Sequence, residues 1–196
     1  MTNILFIDNF DSFLYNFIDL LRIKNHNVII FRNNTCLKVI EKFIRNFNDP
    51  IIILSPGPGA PKNAGCMNQI IKNFKGKIPI IGVCLGFQAL IESYGGIIKP
   101  AEPIMHGKAS LIHHDKKAMF SSIPNPFLAG RYHSLMGANI PDTLIINAFC
   151  EKVPMAIRND DHLVYGFQFH PESILTSVGS KIVENTINWI NKNKKK

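Results

Sequence analysis

No apolar run in these 196 residues approaches the roughly 20 that a membrane-spanning helix needs. Charged residues are sparse at 18%, yet 46% of the chain is hydrophobic, a balance that excludes disorder and fits one well-buried core. The four cysteines, Cys36, Cys66, Cys84 and Cys150, include no C-x-x-C pair, so neither a zinc site nor a disulfide framework is expected, and each reads as a free thiol. The segment from Met1 to Asp8 lacks a basic flank and meets an aspartate too early for a signal peptide, which makes a cytoplasmic location the expectation. Acidic residues are outnumbered, 14 against 22 Lys and Arg, for a formal charge of +8. Part of that excess lies in Asn191–Lys196, expected to be a frayed, solvated tail. The remaining lysines are dispersed and not interleaved with stacking aromatics, so no nucleic-acid partner is expected. With no internal repeat and no linker, residues 1–196 read as one domain.

Strand and helix signals alternate through the first half. Ile4–Ile7, Val28–Phe31, Ile51–Leu54 and Ile78–Val83 are short apolar runs of the kind buried in a parallel sheet. Between them, Phe13, Phe17, Leu20 and Leu21 recur at helical spacing, with Asp11 or Ser12 available as a cap. Val39, Ile40, Phe43, Ile44 and Phe47 mark a second amphipathic helix, and Met67 to Phe74 a third. This rhythm predicts an α/β fold, a doubly wound, mostly parallel sheet with helices on both faces. After Gly95-Gly96 the pattern turns to a smaller region of short strands, among them Ser110–His113, Leu144–Ala148, Met155–Arg158 and Val164–Phe169. A helix from about Ser180 to Trp189 follows. Sites in such sheets lie beyond the carboxyl ends of the strands, so the informative residues are those just after them.

Gly82-Val83-Cys84-Leu85-Gly86 follows the fourth strand. A nucleophile on a sharp strand-to-helix turn needs small residues two positions before and after it. The turn sets Cys84 at the N-terminal end of a helix from Gly86 to Tyr94, which favours the thiolate, and aims backbone N–H groups such as that of Leu85 at a developing oxyanion. The other cysteines carry no such signal and read as structural.

Phe169-His170-Pro171-Glu172 supplies a base and its orienter. Residues two apart on an extended segment share a side, so His170 and Glu172 are expected to face the site together, with Pro171 ending the strand. His170 can then take the thiol proton and return it to a leaving amine, while Glu172 fixes the imidazole. Ser55-Pro56-Gly57-Pro58-Gly59 follows the third strand and lacks the Lys-Ser/Thr ending of a phosphate loop. By itself it reads as a plain tight turn, and the sharper alternative is a rigid loop offering backbone to a ligand or an oxyanion.

Together with Asp8-Asn9-Phe10-Asp11-Ser12-Phe13, His106-Gly107-Lys108, Arg131-Tyr132-His133-Ser134-Leu135 and Ser173-Ile174-Leu175, these motifs resemble the class I, triad-type glutamine amidotransferases over essentially the whole chain. Within that class they are most similar to the amidotransferase component of anthranilate synthase. The component that serves 4-amino-4-deoxychorismate on the folate route shares most of them. The resemblance implies Cys84, His170 and Glu172 as catalytic residues, with Gly57, Pro58, Gly59, Leu85, Gln88, Ser134 and Leu135 holding glutamine. It implies no cofactor or metal in this chain, and magnesium on a partner, the chorismate-binding subunit (component I), in a hetero-oligomer. Phe87 departs from the family, which commonly has histidine there, and a lost polar contact beside the cysteine is the expected consequence. A stand-alone γ-glutamyl hydrolase and a binding subunit without turnover are the rival readings.

Overall fold

The computed structural model describes residues 1–102 and 104–194. The first half alternates β1 (Asn3–Asp8), α1 (Leu14–Ile23), β2 (Asn27–Arg32), α2 (Leu37–Asn46), β3 (Ile51–Leu54), α3 (Met67–Phe74), β4 (Ile80–Val83) and α4 (Leu85–Ser93). Shorter strands follow: β5 (Ile98–Pro100), β6 (Lys108–His114), β7 (Phe127–Arg131), β8 (Leu135–Gly137), β9 (Ile145–Cys150), β10 (Val153–Asn159) and β11 (Val164–Phe167), then α5 (Gly179–Asn193).

The strands of the main sheet are ordered β2-β1-β3-β4-β11-β10-β9-β6-β7. From β2 to β11 all pairings are parallel, and from β11 to β7 all are antiparallel. The second half holds the short strands the sequence suggested. Most of them extend the same sheet, and among the described residues only β5 and β8 form a separate ribbon. Their alternating burial explains why the runs looked irregular: β6 hides Ile112 and His114 but exposes Leu111 and His113.

The central parallel strands are covered on both faces, as continuous apolar runs require. Ile4, Phe6, Ile51, Ile53 and Val83 pack with Phe17 and Leu21 of α1 and with Ile182, Ile187 and Ile190 of α5. Leu5, Ile7, Ile52, Leu54 and Ile80 pack on the other face with Ile40 of α2, Ile70 of α3 and Leu90 of α4. At about 1.5–3 kcal/mol for each large apolar side chain removed from water, these two layers are the main stabilising term.

Several boundaries differ from expectation. Neither Asp11 nor Ser12 caps α1; Phe13 occupies that position without a side-chain hydrogen bond. Asp11 is instead turned toward a cavity at the sheet edge. The last parallel strand stops at Phe167 rather than Phe169. The final helix runs on through Asn193, so Asn191–Asn193 of the expected tail are ordered, and Lys194 reaches Asp49 at 2.8 Å. Residues 195–196 of that tail lie outside the described residues. No helix among the described residues is long and apolar enough to cross a membrane.

Candidate active site

Register brings the site together. Gly82 of β4 pairs with Gly166 of β11 and Val83 with Phe167, so the residues that follow, Cys84 and Gln168, emerge side by side at the carboxyl edge. The N–H of Cys84 donates to the Phe167 carbonyl at 2.7 Å, extending the ladder by one bond before the chain turns. Cys84 then adopts φ 50°, ψ −98°, a left-handed conformation unfavourable for any residue with a Cβ. Its carbonyl accepts from Gln88 N–H at 3.0 Å, which starts α4. The flanking glycines are sterically required. A Cβ on Gly82 would stand 2.6 Å from the Gly86 carbonyl, and one on Gly86 2.5 Å from the Leu54 carbonyl.

His170 and Glu172 sit in the chain that leaves β11. His170 Nδ1 donates to Glu172 Oε1 at 2.6 Å, and both side chains are buried. The pairing is as expected, but its cause differs: Pro171 and Glu172 lie in a turn, not on an extended segment. Thr176 clamps this turn. Its hydroxyl donates to the His170 carbonyl at 2.7 Å and accepts from Gly130 N–H at 2.9 Å, while His170 N–H donates to the Gly130 carbonyl at 3.0 Å. Burial alone would push the His170 imidazole down, but the Cys84 sulfur and the Glu172 carboxylate outweigh it and carry the ring well above its ordinary value. With Nδ1 committed to Glu172, Nε2 is the atom left to exchange a proton, and it is buried without a hydrogen-bond partner among the described residues. The Tyr132 ring stands edge-on to the imidazole, centroids 5.0 Å apart, and restricts its rotation.

Cys84 and His170 open onto one cavity of about 320 Å³, also lined by Asp11, Gly57, Pro58 and Tyr132. A larger depression of about 600 Å³ lies over β6 and β9, near Leu111 and Phe149, and contains none of the sequence-predicted residues. Chemistry rather than size picks out the smaller one. The glycine loop is seated against the loop after β1, where a Cβ on Gly57 would meet the Asn9 carbonyl at 2.4 Å. Asn9 is fixed in turn by Ser55, through its N–H to Oγ at 2.7 Å and its Nδ2 to the carbonyl at 2.9 Å, and by Asn33 Nδ2 at 3.0 Å.

Cys84, His170, Gly57 and Pro58 thus share the cavity, with Glu172 behind His170. Gly59 (φ 80°), Leu85, Gln88, Ser134 and Leu135 are not in the cavity lining. Gln88 is buried and donates to the Leu135 carbonyl, whereas Ser134 is exposed and its carbonyl accepts from Ala101 N–H. Phe87 is fully buried on the α4 face of the sheet, against Gly166, so it removes no polar contact from the cavity.

The sequence reading assigned Asp11, a candidate helix cap, no part in the cavity, and assigned none to Tyr132, Thr176 or Gln168. Asp11 has one carboxylate oxygen buried without a partner among the described residues, and burial, then the nearby Glu172 charge, push its pKa up to about 6. Its place after β1 was the available signal. Gln168 and Thr176 act through register and turn geometry that the linear sequence does not display.

A cysteine on a strained turn, a carboxylate-oriented histidine and a glycine loop beside them form a site for attacking a carbonyl and protonating its leaving group. The family model for class-I glutamine amidotransferases matches residues 5–189, and the chain belongs to that family. Among curated relatives it is 53% identical over 189 residues to anthranilate synthase component 2 of Buchnera aphidicola subsp. Schizaphis graminum, covering 96% of each chain. It is 51% identical to the protein of the same name from the Acyrthosiphon pisum subspecies, covering 96% of this chain and 94% of the relative. Among solved structures, a putative GMP synthase component from Thermoplasma acidophilum shares the fold, with TM-score 0.85 at 20% identity over 98% of this chain and 95% of that one.

Proposed function

We propose that this chain is the glutamine-hydrolysing subunit of an anthranilate synthase. The observation that carries the chemistry is the buried His170–Glu172 pair facing the cavity of the Cys84 elbow. The identity of its partner rests on relatives named anthranilate synthase component 2 that match over nearly their whole length.

Cys84 attacks the side-chain amide of glutamine as a thiolate, its proton passing to His170 Nε2. The tetrahedral oxyanion is held by backbone N–H groups of the Gly57 loop and of Leu85. His170 returns the proton to the departing ammonia with Glu172 stabilising the imidazolium, and water then hydrolyses the γ-glutamyl thioester to glutamate. Gly57 and Pro58 of the cavity hold the rest of the substrate, joined, as the resemblance implies, by Gly59, Gln88, Ser134 and Leu135 from outside its lining. Ammonia passes to a chorismate-binding subunit, component I, which forms anthranilate and pyruvate with magnesium bound on that partner. This chain works without a cofactor, as part of a cytoplasmic hetero-oligomer.

The test combines the chain with a component I subunit, chorismate, magnesium and glutamine. Cys84→Ala should lower glutamine-dependent anthranilate formation by at least about 10³-fold, because loss of a nucleophile removes the covalent route, and leave formation from ammonium salt intact. Loss of both activities in an assembled complex would sink the division of labour. Formation of 4-amino-4-deoxychorismate with a folate-route partner, and no anthranilate, would reassign the pathway.

A further inference from the structure

A continuous run of buried hydrogen bonds connects β7 to the sulfur of Cys84, and the chemistry of its members gives it a direction. Arg131 Nε donates to His133 Nε2 at 3.1 Å. A guanidinium has only donors, so that ring nitrogen must accept, and the proton of a neutral imidazole lies on Nδ1. His133 Nδ1 is 3.0 Å from the Leu135 carbonyl, an acceptor, as this tautomer requires. Burial, and then the Arg131 charge, lower the His133 pKa to about 4, which keeps the ring neutral and the direction fixed at neutral pH.

The same Leu135 carbonyl accepts from Gln88 Nε2 at 3.0 Å. A carbonyl cannot donate, so Gln88 is bound to present its nitrogen there. The second hydrogen of that nitrogen goes to Gln168 Oε1 at 3.2 Å. Gln168 has no choice left: with its oxygen facing Gln88, its Nε2 faces Cys84 Sγ, 3.7 Å away. Gln168 is fully buried, and Gln88, His133 and Arg131 are each more than nine-tenths buried, so water does not compete for these orientations. A flipped Gln168 amide would aim an oxygen at the sulfur and set Gln88 nitrogen against Gln168 nitrogen.

We infer that Gln168 is a thiolate-stabilising donor to Cys84, and that Gln88, His133 and Arg131 are positioning residues that lock its amide nitrogen toward the sulfur. An N–H aimed at sulfur favours the anion over the thiol, and so the attacking form of the nucleophile. The role complements that of His170, which takes the proton. The other titratable groups at the cysteine are Glu172 behind His170, Asp11 from the β1–α1 loop, and His106 and Tyr132 at the cavity wall. None of them belongs to this run. The inference rests on the reading of Cys84 as nucleophile.

Alkylation of Cys84 by iodoacetamide, followed against pH by mass spectrometry of its peptide, reads the thiolate without requiring turnover. The full chain is compared with Gln168→Met, which removes the donor at similar volume, and with Gln168→Glu, which keeps the shape and replaces the donor by a carboxyl oxygen. A hydrogen bond to a charged group is worth enough to move the alkylation midpoint upward by about one pH unit in Gln168→Met, with neutral-pH labelling about tenfold slower. Gln168→Glu should shift it further, and kcat should fall with little change in KM for glutamine. The proposal is overturned if the midpoint stays put in the folded isostere Gln168→Glu, or if activity is lost through KM alone. Failure of the nucleophile assignment would look different: Cys84→Ala would retain glutaminase activity whatever the Gln168 variants do.

Discussion

The parallel and antiparallel halves of the sheet meet at β11, and they solve opposite problems. Strands β1, β3 and β4 are buried on both faces, and their loops must pass through little space; Gly57 and Gly86 abut backbone at distances that exclude a methyl group. That crowding holds Cys84 in a conformation it would not choose. From β10 to β7 one face is open, Leu111 and Leu128 are about half exposed, and the buried polar residues Arg131 and His133 lie in the edge strand and just beyond it. The crowded half supplies the reacting atom, and the open half supplies hydrogen-bonding groups that orient what surrounds it. His170 stands at the seam, bonded through its backbone to Gly130 of the antiparallel side.

The largest test of this contrast is Gly86→Ala. The added Cβ would lie 2.5 Å from the Leu54 carbonyl and 2.7 Å from its Cβ, atoms of a central strand that cannot yield. Overpacking of this kind costs about 3 kcal/mol, and an elbow displaced by about 1 Å loses on the order of 10²-fold in rate. Urea melts and glutaminase assays on the purified variant measure both. An active, stable Gly86→Ala would mean that the turn is not held by crowding.

A matched pair of substitutions compares the halves directly. Ile53 in β3 is fully buried, whereas Leu111 in β6 is 53% exposed. Ile53→Ala should cost about 3 kcal/mol through lost burial and the cavity left behind. Leu111→Ala should stay within about 0.5 kcal/mol, as surface truncations do. Equal losses in denaturant melts would show that the open face is covered in solution.

How much could be read from the chain follows the same division. Four apolar runs gave the parallel strands: β1, β3 and β4, buried on both faces, write their burial into consecutive residues, and the half-buried edge strand β2 is apolar from Val28 to Phe31 as well. The elbow was legible because Gly82 and Gly86 mark it locally. His170 and Glu172 were found through a wrong geometry: side alternation on a strand was assumed, and a turn clamped by Thr176 performs the pairing. The short strands of the second half were legible, but their antiparallel continuation of the same sheet was not, because half-buried strands hide alternate residues only. Gln168 could not be found at all, since its approach to Cys84 depends on the β4–β11 register, a contact across 84 positions of sequence.

The smallest predicted effect asks whether the loop after β1 senses the charge at the seam. Asp11 has a folded pKa of about 6 against an ordinary value of 3.8, raised by burial first and by Glu172 next. A raised carboxyl means that the folded protein holds its proton more tightly than the unfolded chain does. Ionised Asp11 therefore costs stability above pH 6, and that cost disappears as pH falls from 6 toward 3.8. Asp11→Asn removes it permanently. Discounted for the solvent screening of a partly exposed group, the gain at neutral pH is about 1 kcal/mol, or about 3 °C in Tm for a chain of this size. Melting both proteins at about pH 7.5 and about pH 4.5 should give a difference that shrinks in acid. A difference that ignores pH would mean that Asp11 is fully solvated and electrically separate from His170 and Glu172. A difference that also shrinks when Glu172→Gln is introduced would place the two carboxylates in one field, joining the loop of the parallel half to the turn at the seam.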